Sequence, residues 1–208
     1  LNENLYGVDL SPESVEITKL SLWLKTAEKG KTLTYLDDNI KVGNSIIDDP
    51  QVDDSAFSWE QAFPKVFADG GFDVAIGNPP YVRQELLSPF KPYLQAHYQC
   101  YDGVADLYAY FYEKGVNLLK PGGVLSYIVT NKWFRAGYGE PLRRFFSQHS
   151  VFEQIIDFGH APIFQDADTF PCIVELRKPT ETPEPTKPEP QTPVLVCPVP
   201  REELENIN

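Results

Sequence analysis

Methionine is missing from the 208-residue chain, even at position 1. That absence predicts a piece of a longer chain. No apolar run approaches the ~20 residues needed to span a bilayer, and no basic-then-apolar leader opens the sequence. The residues therefore read as a soluble intracellular domain. Only three cysteines occur, Cys100, Cys172 and Cys197. Their odd number and the lack of C-x-x-C spacing indicate neither a disulfide framework nor a zinc site. The three histidines (His97, His149, His160) are scattered and suggest no metal cluster. Positive charge is scarce: 18 Lys and Arg against 30 Asp and Glu give a net charge of −12. Phosphate binding is driven by Lys and Arg, so this balance argues against these residues alone gripping nucleic acid strongly.

Hydrophobic residues make up 42% of the chain, enough at this length for one good core but hardly two. Leu5–Leu10 reads as a short buried strand, after which Ser11 caps a helix with Pro12 at its first position, running to about Ala27. Ile40–Val42 is a second short strand, ending at Gly43-Asn44-Ser45. Acid is concentrated next: Asp37, Asp38, Asp48, Asp49, Asp53, Asp54 and Glu60 fall within 24 residues. The bland interpretation of this run, and of the later basic side chains Lys132, Arg135, Arg143 and Arg144, is solvated surface. Phe72–Ile76 is a third strand, leading into Gly77-Asn78-Pro79-Pro80-Tyr81.

Residues 82–104 read as a loop with short helical pieces. An aromatic-rich helix from Ala105 to Leu119 is closed by Lys120-Pro121-Gly122-Gly123, and the strand Val124–Thr130 follows. A helix over Glu140–Gln148 and strands at Val151–Phe158 and Phe170–Leu176 complete the pattern. Strands alternating with helices predict an α/β fold with a parallel-type sheet covered on both faces. From Pro179 to Pro200 the composition shifts, with 8 of the 19 prolines in 22 residues. Thr180–Thr192 is expected to be an extended connection, and Pro193–Pro198 a strand at a sheet edge, where proline is tolerated. The expected division is a partial catalytic domain over 1–178, a Pro-rich connection over 179–193, and an edge strand leading towards a further domain over 194–208.

Asn78-Pro79-Pro80-Tyr81 is the sharpest chemical signal. It directly follows a strand, at the carboxyl end of the sheet, where open α/β folds place their sites. Two prolines in succession fix the backbone and remove two N–H donors. The Asn78 side-chain oxygen and the Pro79 carbonyl are two acceptors, and an exocyclic amino group offers two hydrogens. Held so, the nitrogen lone pair is drawn out of conjugation and aimed at an electrophile. Tyr81 supplies a face on which a base extruded from a duplex could stack. Asp9, at the end of the first strand, can accept from both hydroxyls of a ribose, although it is equally a plain helix-entry Asp. Asn44, at the end of the next strand, could meet an adenine amino group or merely build a turn. Three successive strand ends carrying polar residues fit one nucleoside-shaped cofactor followed by one substrate. Phe170, at a strand start, is a second aromatic wall or a core residue. Tyr108, Tyr110, Phe111 and Tyr112 read as packing.

These residues resemble the amino-methyltransferases that act on adenine in DNA, especially those of type IIG restriction-modification enzymes. The resemblance covers nearly the whole chain. It rests on Gly7-Val8-Asp9-Leu10-Ser11-Pro12, Gly43-Asn44-Ser45, Gly77-Asn78-Pro79-Pro80-Tyr81, Asp106-Leu107-Tyr108, Gly122–Trp133 and Ile156-Asp157-Phe158. It implies a doubly wound, mostly parallel, Rossmann-like sheet of the S-adenosylmethionine-dependent methyltransferase type, incomplete at the N-terminus. The implied reaction is methyl transfer to N6 of adenine in DNA, within a prokaryotic, cytoplasmic restriction-modification system. By matched motif, the cofactor site comprises Asp9 at the ribose and Asn44 at the adenine, together with Leu10, Ser45 and Asn78. Asn78 and Pro79, with Pro80, hold the target amino group. Tyr81 stacks on the flipped base and Phe170 completes the pocket. No metal is implied.

The chain departs from the family in two places. Many relatives have Asp where Asn44 stands. The glycine-rich first motif, which precedes the acidic strand and cradles the methionine part of the cofactor, is not among these residues. The expectation is therefore that N-terminal and C-terminal parts of the parent chain complete the enzyme, that this piece alone is inactive, and that a downstream recognition domain carries the positive charge. The partner is double-stranded DNA with a flipped adenine, and no membrane. Two alternatives stay open: a methyltransferase for protein glutamine or RNA, which Asn-Pro-Pro-Tyr also serves, and a non-catalytic interaction module retaining the fold.

Overall fold

The computed structural model describes residues 3–27, 35–159, 170–180 and 193–199. The chain divides into two compact units, Leu1–Phe63 and Pro64–Asn208.

In the first unit, strand β1 (Gly7–Asp9) pairs in parallel with β2 (Ile40–Val42), and helix α1 (Pro12–Thr26) belongs to the crossover between them. The helix starts where its sequence signals stand. The Ser11 hydroxyl accepts from the Ser14 N–H at 3.1 Å, Pro12 occupies a first-turn position that needs no donor, and Glu13 faces the positive end of the helix dipole. Val15 on its inner side packs with Leu36, Ile40, Leu22 and Trp23. Lys19 is buried beside them, its ammonium held by Asp37 and by Glu16. Ile17, Leu20 and Leu24 on the same helix are exposed. A second cluster joins Tyr6, Phe57, Trp59 and Phe63, with ring centroids 5.0 to 6.0 Å apart, around the short helix α2 (Trp59–Ala62).

The second unit opens with α3 (Pro64–Ala68) and β3 (Phe72–Gly77), then α4 (Lys91–His97), α5 (Tyr108–Leu118) and β4 (Leu119–Thr130). Helix α6 (Glu140–His149) and strands β5 (Val151–Asp157), β6 (Pro171–Arg177) and β7 (Leu195–Pro198) complete it. The sheet order is β3-β4-β6-β5-β7. β3 runs parallel to β4 and β7 parallel to β5, while β6 is antiparallel to both of its neighbours. Among the described residues, three of the five strand pairings of the chain are thus parallel, as expected of an α/β chain of this pattern.

The core of this unit lies between the sheet and helices α5 and α6. Leu125, Val129, Val174 and Leu176 from the strands and Tyr112, Val116, Leu142 and Phe146 from the helices are all buried. Tyr112, Trp133, Phe146 and Phe152 form a chain of edge-to-face rings 5.1 to 5.9 Å apart. Gly115 is what lets α5 sit this close. A Cβ there would come within 2.6 Å of Leu125 Cδ1 and of the Tyr127 hydroxyl.

Two boundaries differ by three residues or more from those expected. β4 begins at Leu119, five residues early, because Lys120–Gly123 form a bulge inside the ladder. Phe72 faces Leu119 and Val74 faces Val124, so a step of two residues on one strand is matched by five on the other. α5 begins at Tyr108 instead of Ala105, with the Leu107 N–H donating outside the helix to the Val82 carbonyl at 3.1 Å. β7 sits at the edge, where Pro198 is tolerated. The Pro-rich stretch 181–192 and residues 200–208 lie outside the described residues. At the other edge, Val74 and Ile76 of β3 are 57% and 76% exposed, an apolar parallel-type strand left open on one side.

Candidate active site

In the first unit, the parallel pairing puts the ends of β1 and β2 side by side. Asp9 faces Val42, and the Asp9 carbonyl accepts from the Gly43 N–H at 2.9 Å. Asp9 and Gly43-Asn44-Ser45 therefore share one end of the strand pair. The Asp9 carboxylate is exposed, and its Oδ1 accepts from the Ser11 N–H at 2.8 Å, leaving Oδ2 for a ligand. Leu10 is exposed next to it. Gly43 must be glycine: a Cβ would lie 2.6 Å from Phe57 Cβ. The half-buried Asn44 is more constrained than its sequence suggested. Its Nδ2 donates to Asp53 Oδ2 at 2.7 Å, and its Oδ1 accepts from the Ile46 N–H at 3.2 Å. The Ser45 carbonyl accepts from Trp59 Nε1 at 3.1 Å.

In the second unit, β3 ends by pairing Gly77 with Tyr127, and Asn78-Pro79-Pro80-Tyr81 leaves the sheet from there. Pro79 is buried, whereas Asn78, Pro80 and Tyr81 are exposed. The Tyr81 ring rests against Tyr108, with centroids 6.3 Å apart, and Tyr108 in turn meets the Tyr138 hydroxyl at 3.0 Å. Burial raises the Tyr81 phenol, and burial together with Tyr138 raises that of Tyr108, so both stay neutral hydroxyls. The segment after Tyr81 is stitched down. Val82 accepts from the Leu107 N–H, and Lys91 Nζ donates to Gln84 Oε1 at 2.5 Å and to the Gly103 carbonyl at 2.8 Å. Burial pushes the Asp106 carboxyl up, opposed by Lys132, Arg83 and the Gln84 N–H.

Phe170 precedes β6 and is pinned at the same end of the sheet, its carbonyl accepting from the Asn131 N–H at 2.7 Å. Lys132 Nζ stands 5.8 Å from the Phe170 ring centroid. Because the order is β3-β4-β6, Tyr81 and Phe170 leave strands two positions apart, on the order of 10 Å. Cys172, two residues after Phe170, is buried, and its thiol is pushed up to about 12 by burial.

Sequence reasoning missed Asp53, which it read as solvated surface, and the backing of Tyr81 by Tyr108. No periodicity links Asp53 to Asn44, nine residues away, so only the fold brings them together. The signal for Tyr108 was present in Asp106-Leu107-Tyr108, but its aromatic neighbours made all of them look like packing. Among the described residues, no group of three or more His, Cys, Asp or Glu side chains could hold a metal ion, and no helix is long and apolar enough to cross a membrane.

Comparison with known proteins gives a consistent result. A family model described as Eco57I restriction-modification methylase matches residues 3–164. The chain is 30% identical over 190 residues to the type II restriction enzyme and methyltransferase RM.Eco57I of Escherichia coli, covering 84% of the chain and 19% of that protein. The chain spans between about a fifth and a third of the length of the curated relatives it matches. Among solved structures, it resembles DrdV in a complex with DNA at a TM-score of 0.67 and 17% identity, over 97% of this chain and 22% of that one. A class I S-adenosylmethionine-dependent methyltransferase from Listeria monocytogenes matches at a TM-score of 0.51 and 17% identity, over 94% and 58%. At these identities the structures establish the fold: a Rossmann-like, class I methyltransferase sheet.

Proposed function

The chain belongs to the Eco57I restriction-modification methylase family, and on that premise we propose that it transfers a methyl group to N6 of a flipped adenine in double-stranded DNA. One observation carries the proposal: Asn78-Pro79-Pro80-Tyr81 stands at the carboxyl end of β3, with the Tyr81 ring exposed and backed by Tyr108. The enzyme is a site-specific methyltransferase of a restriction-modification system, acting in a prokaryotic cytoplasm. Residues 1–178 are the proposed catalytic part, 179–193 a connection, and 194–208 the approach to a recognition domain.

The residues of the first unit fit a nucleoside cofactor by their chemistry. The open Asp9 oxygen suits a ribose diol, Leu10 an adenine face, and Asn44 with Ser45 the adenine edge. S-adenosylmethionine, when bound, supplies an electrophilic methyl on a sulfonium. The chain's own work is to hold the base. Asn78 Oδ1 and the Pro79 carbonyl accept the two amino hydrogens and draw the nitrogen lone pair out of conjugation with the ring, towards the methyl. Both acceptors strengthen as the nitrogen gains positive charge, which stabilises the transition state more than the ground state. Tyr81 and Phe170 exclude water from the two faces of the base and fix its angle of approach. The attack is direct, without a covalent enzyme intermediate, because no cysteine lies in the motif. The extra proton passes to solvent after transfer.

Transfer of labelled methyl to unmethylated DNA by the intact protein, followed by nucleoside analysis, tests this. The expected result is label in N6-methyladenine, falling about 10³-fold in Asn78→Ala, in line with the loss of one preorganised transition-state contact. Label on protein glutamine or RNA in place of DNA would move the substrate. Failure to bind the cofactor would leave an interaction module.

A further inference from the structure

Asn44 is held at both ends of its amide, and the two neighbours require the same orientation. Asp53 is a carboxylate and can only accept, so Asn44 must turn its amino group to Asp53 Oδ2, 2.7 Å away. The Ile46 N–H can only donate, so Asn44 Oδ1 must lie beside it, 3.2 Å away. A free asparagine amide can sit either way round, whereas this one has a single orientation that satisfies both. Asp53 itself is rigid. Its Oδ1 accepts from the Ser55 N–H at 2.8 Å, and Asn44 and Ala56 form a parallel bridge, with the Asn44 N–H donating to the Ser55 carbonyl at 2.6 Å. Phe57 packs against Gly43 from the same loop.

We propose that Asp53 is a positioning and specificity-determining residue, which fixes the Asn44 side chain as an acceptor towards the exocyclic group of the cofactor's purine. This inference rests on the functional reading above, in which Asn44 meets the cofactor adenine. With Oδ1 fixed, one lone pair remains after Ile46 is satisfied. Adenine presents an amino group there, a donor that the lone pair accepts. Hypoxanthine presents a carbonyl oxygen, and two acceptors facing each other are rejected. The acidic residue nine positions along thus sets which purine is read, without touching it.

Asp53 uses two oxygens, one for Ser55 and one for Asn44. Asp53→Asn has one oxygen, so the Ser55 turn can survive while the Asn44 amide loses its orienting partner. Combining Asn44→Asp with Asp53→Asn restores the pattern. The carboxylate introduced by the first change accepts from Ile46 and from the amide introduced by the second, and it still offers an acceptor to the purine. Asn44→Asp alone puts two carboxylates within hydrogen-bond distance, which must share a proton, so its affinity falls as pH rises.

The experiment is calorimetric binding of S-adenosylhomocysteine and its inosine counterpart to the intact protein, with melting temperatures as a folding control. Wild type is expected to prefer the adenosine form. Asp53→Asn should bind that form about tenfold more weakly and lose most of the preference, and the double swap should recover both. An unchanged preference in Asp53→Asn, or a double variant no better than the single ones, would overturn the proposal. Asp9→Ala separates the two levels. If it weakens binding while Asp53→Asn does not, only the role of Asp53 falls. If wild type binds neither compound, the cofactor reading falls with it.

Discussion

The two units hold their candidate residues by different means. In Leu1–Phe63, the strands are three residues long; Asp9 and Asn44 accept from the Ser11 and Ile46 N–H groups, and Asn44 donates to Asp53 and to the Ser55 carbonyl. In Pro64–Asn208, a five-stranded sheet under an aromatic core carries Tyr81 and Phe170, and the ring of Tyr81 leans on the buried Tyr108. The first set is positioned by directional polar contacts, each worth about 1 kcal/mol net. The second is positioned by packing, which is non-directional and collectively larger. A substitution should therefore separate ligand affinity from stability differently in each unit.

The largest effect belongs to the packed unit. Phe146 is fully buried and meets the rings of Tyr112, Trp133 and Phe152. Phe146→Ala should cost about 3–5 kcal/mol in denaturant unfolding of that unit, while hydrogen exchange across β1 and β2 stays unchanged. Slower or faster exchange in both units together would end the contrast. The next effect belongs to the polar unit. A Cβ at Gly43 meets Phe57, whose loop carries Asp53. Gly43→Ala should cost about 1–3 kcal/mol through overpacking. It should also weaken cofactor binding, because displacing Phe57 drags Asp53 away from Asn44. Stability lost without any change in affinity would show that the loop does not position Asn44.

The same contrast decides what was legible in the sequence. Strand and helix order could be read because apolar runs, Ser11-Pro12 and the Pro-Gly turns act locally. The edge strand at Leu195–Pro198 followed from proline's missing donor. The start of β4 was not legible, since the bulge at Lys120–Gly123 is defined only by its register against β3. Asn78–Tyr81 was legible as chemistry because the motif is contiguous. Asp53 was not, because its partner is brought to it by the turn at the end of β2, and a run of acidic residues looks the same whether one member is engaged or none. The family match covering residues 3–164 agrees with the resemblance read from the motifs, yet no motif marked the carboxylate that orients Asn44.

The last test is the response to alkali, which compares the two units without any substitution. The packed unit buries many neutral acids: Tyr110, Tyr112 and Cys100 are raised by burial, Tyr127 is pushed up to about 12, and so is Cys172. In the unfolded chain, thiols ionise near pH ~8.5 and phenols near pH ~10. Each of these groups has a folded pKa above its unfolded one, so the unfolded state gives up its protons first as pH rises. The stabilisation they contribute is complete below about pH 8.5 and is lost progressively towards pH 12, at up to about 1.4 kcal/mol per pH unit for each titrating group. In the other unit, Tyr35 is raised chiefly by its hydrogen bond to Asp37, and its ring is exposed, so alkali gains little there. Hydrogen exchange followed from about pH 8 to 11 should therefore show β3 to β6 losing protection before β1 and β2 do, after correction for the intrinsic rate. Simultaneous loss would mean that the buried hydroxyls and thiols do not hold the packed unit together, and that its Tyr81 platform rests on hydrogen bonds as much as Asn44 does.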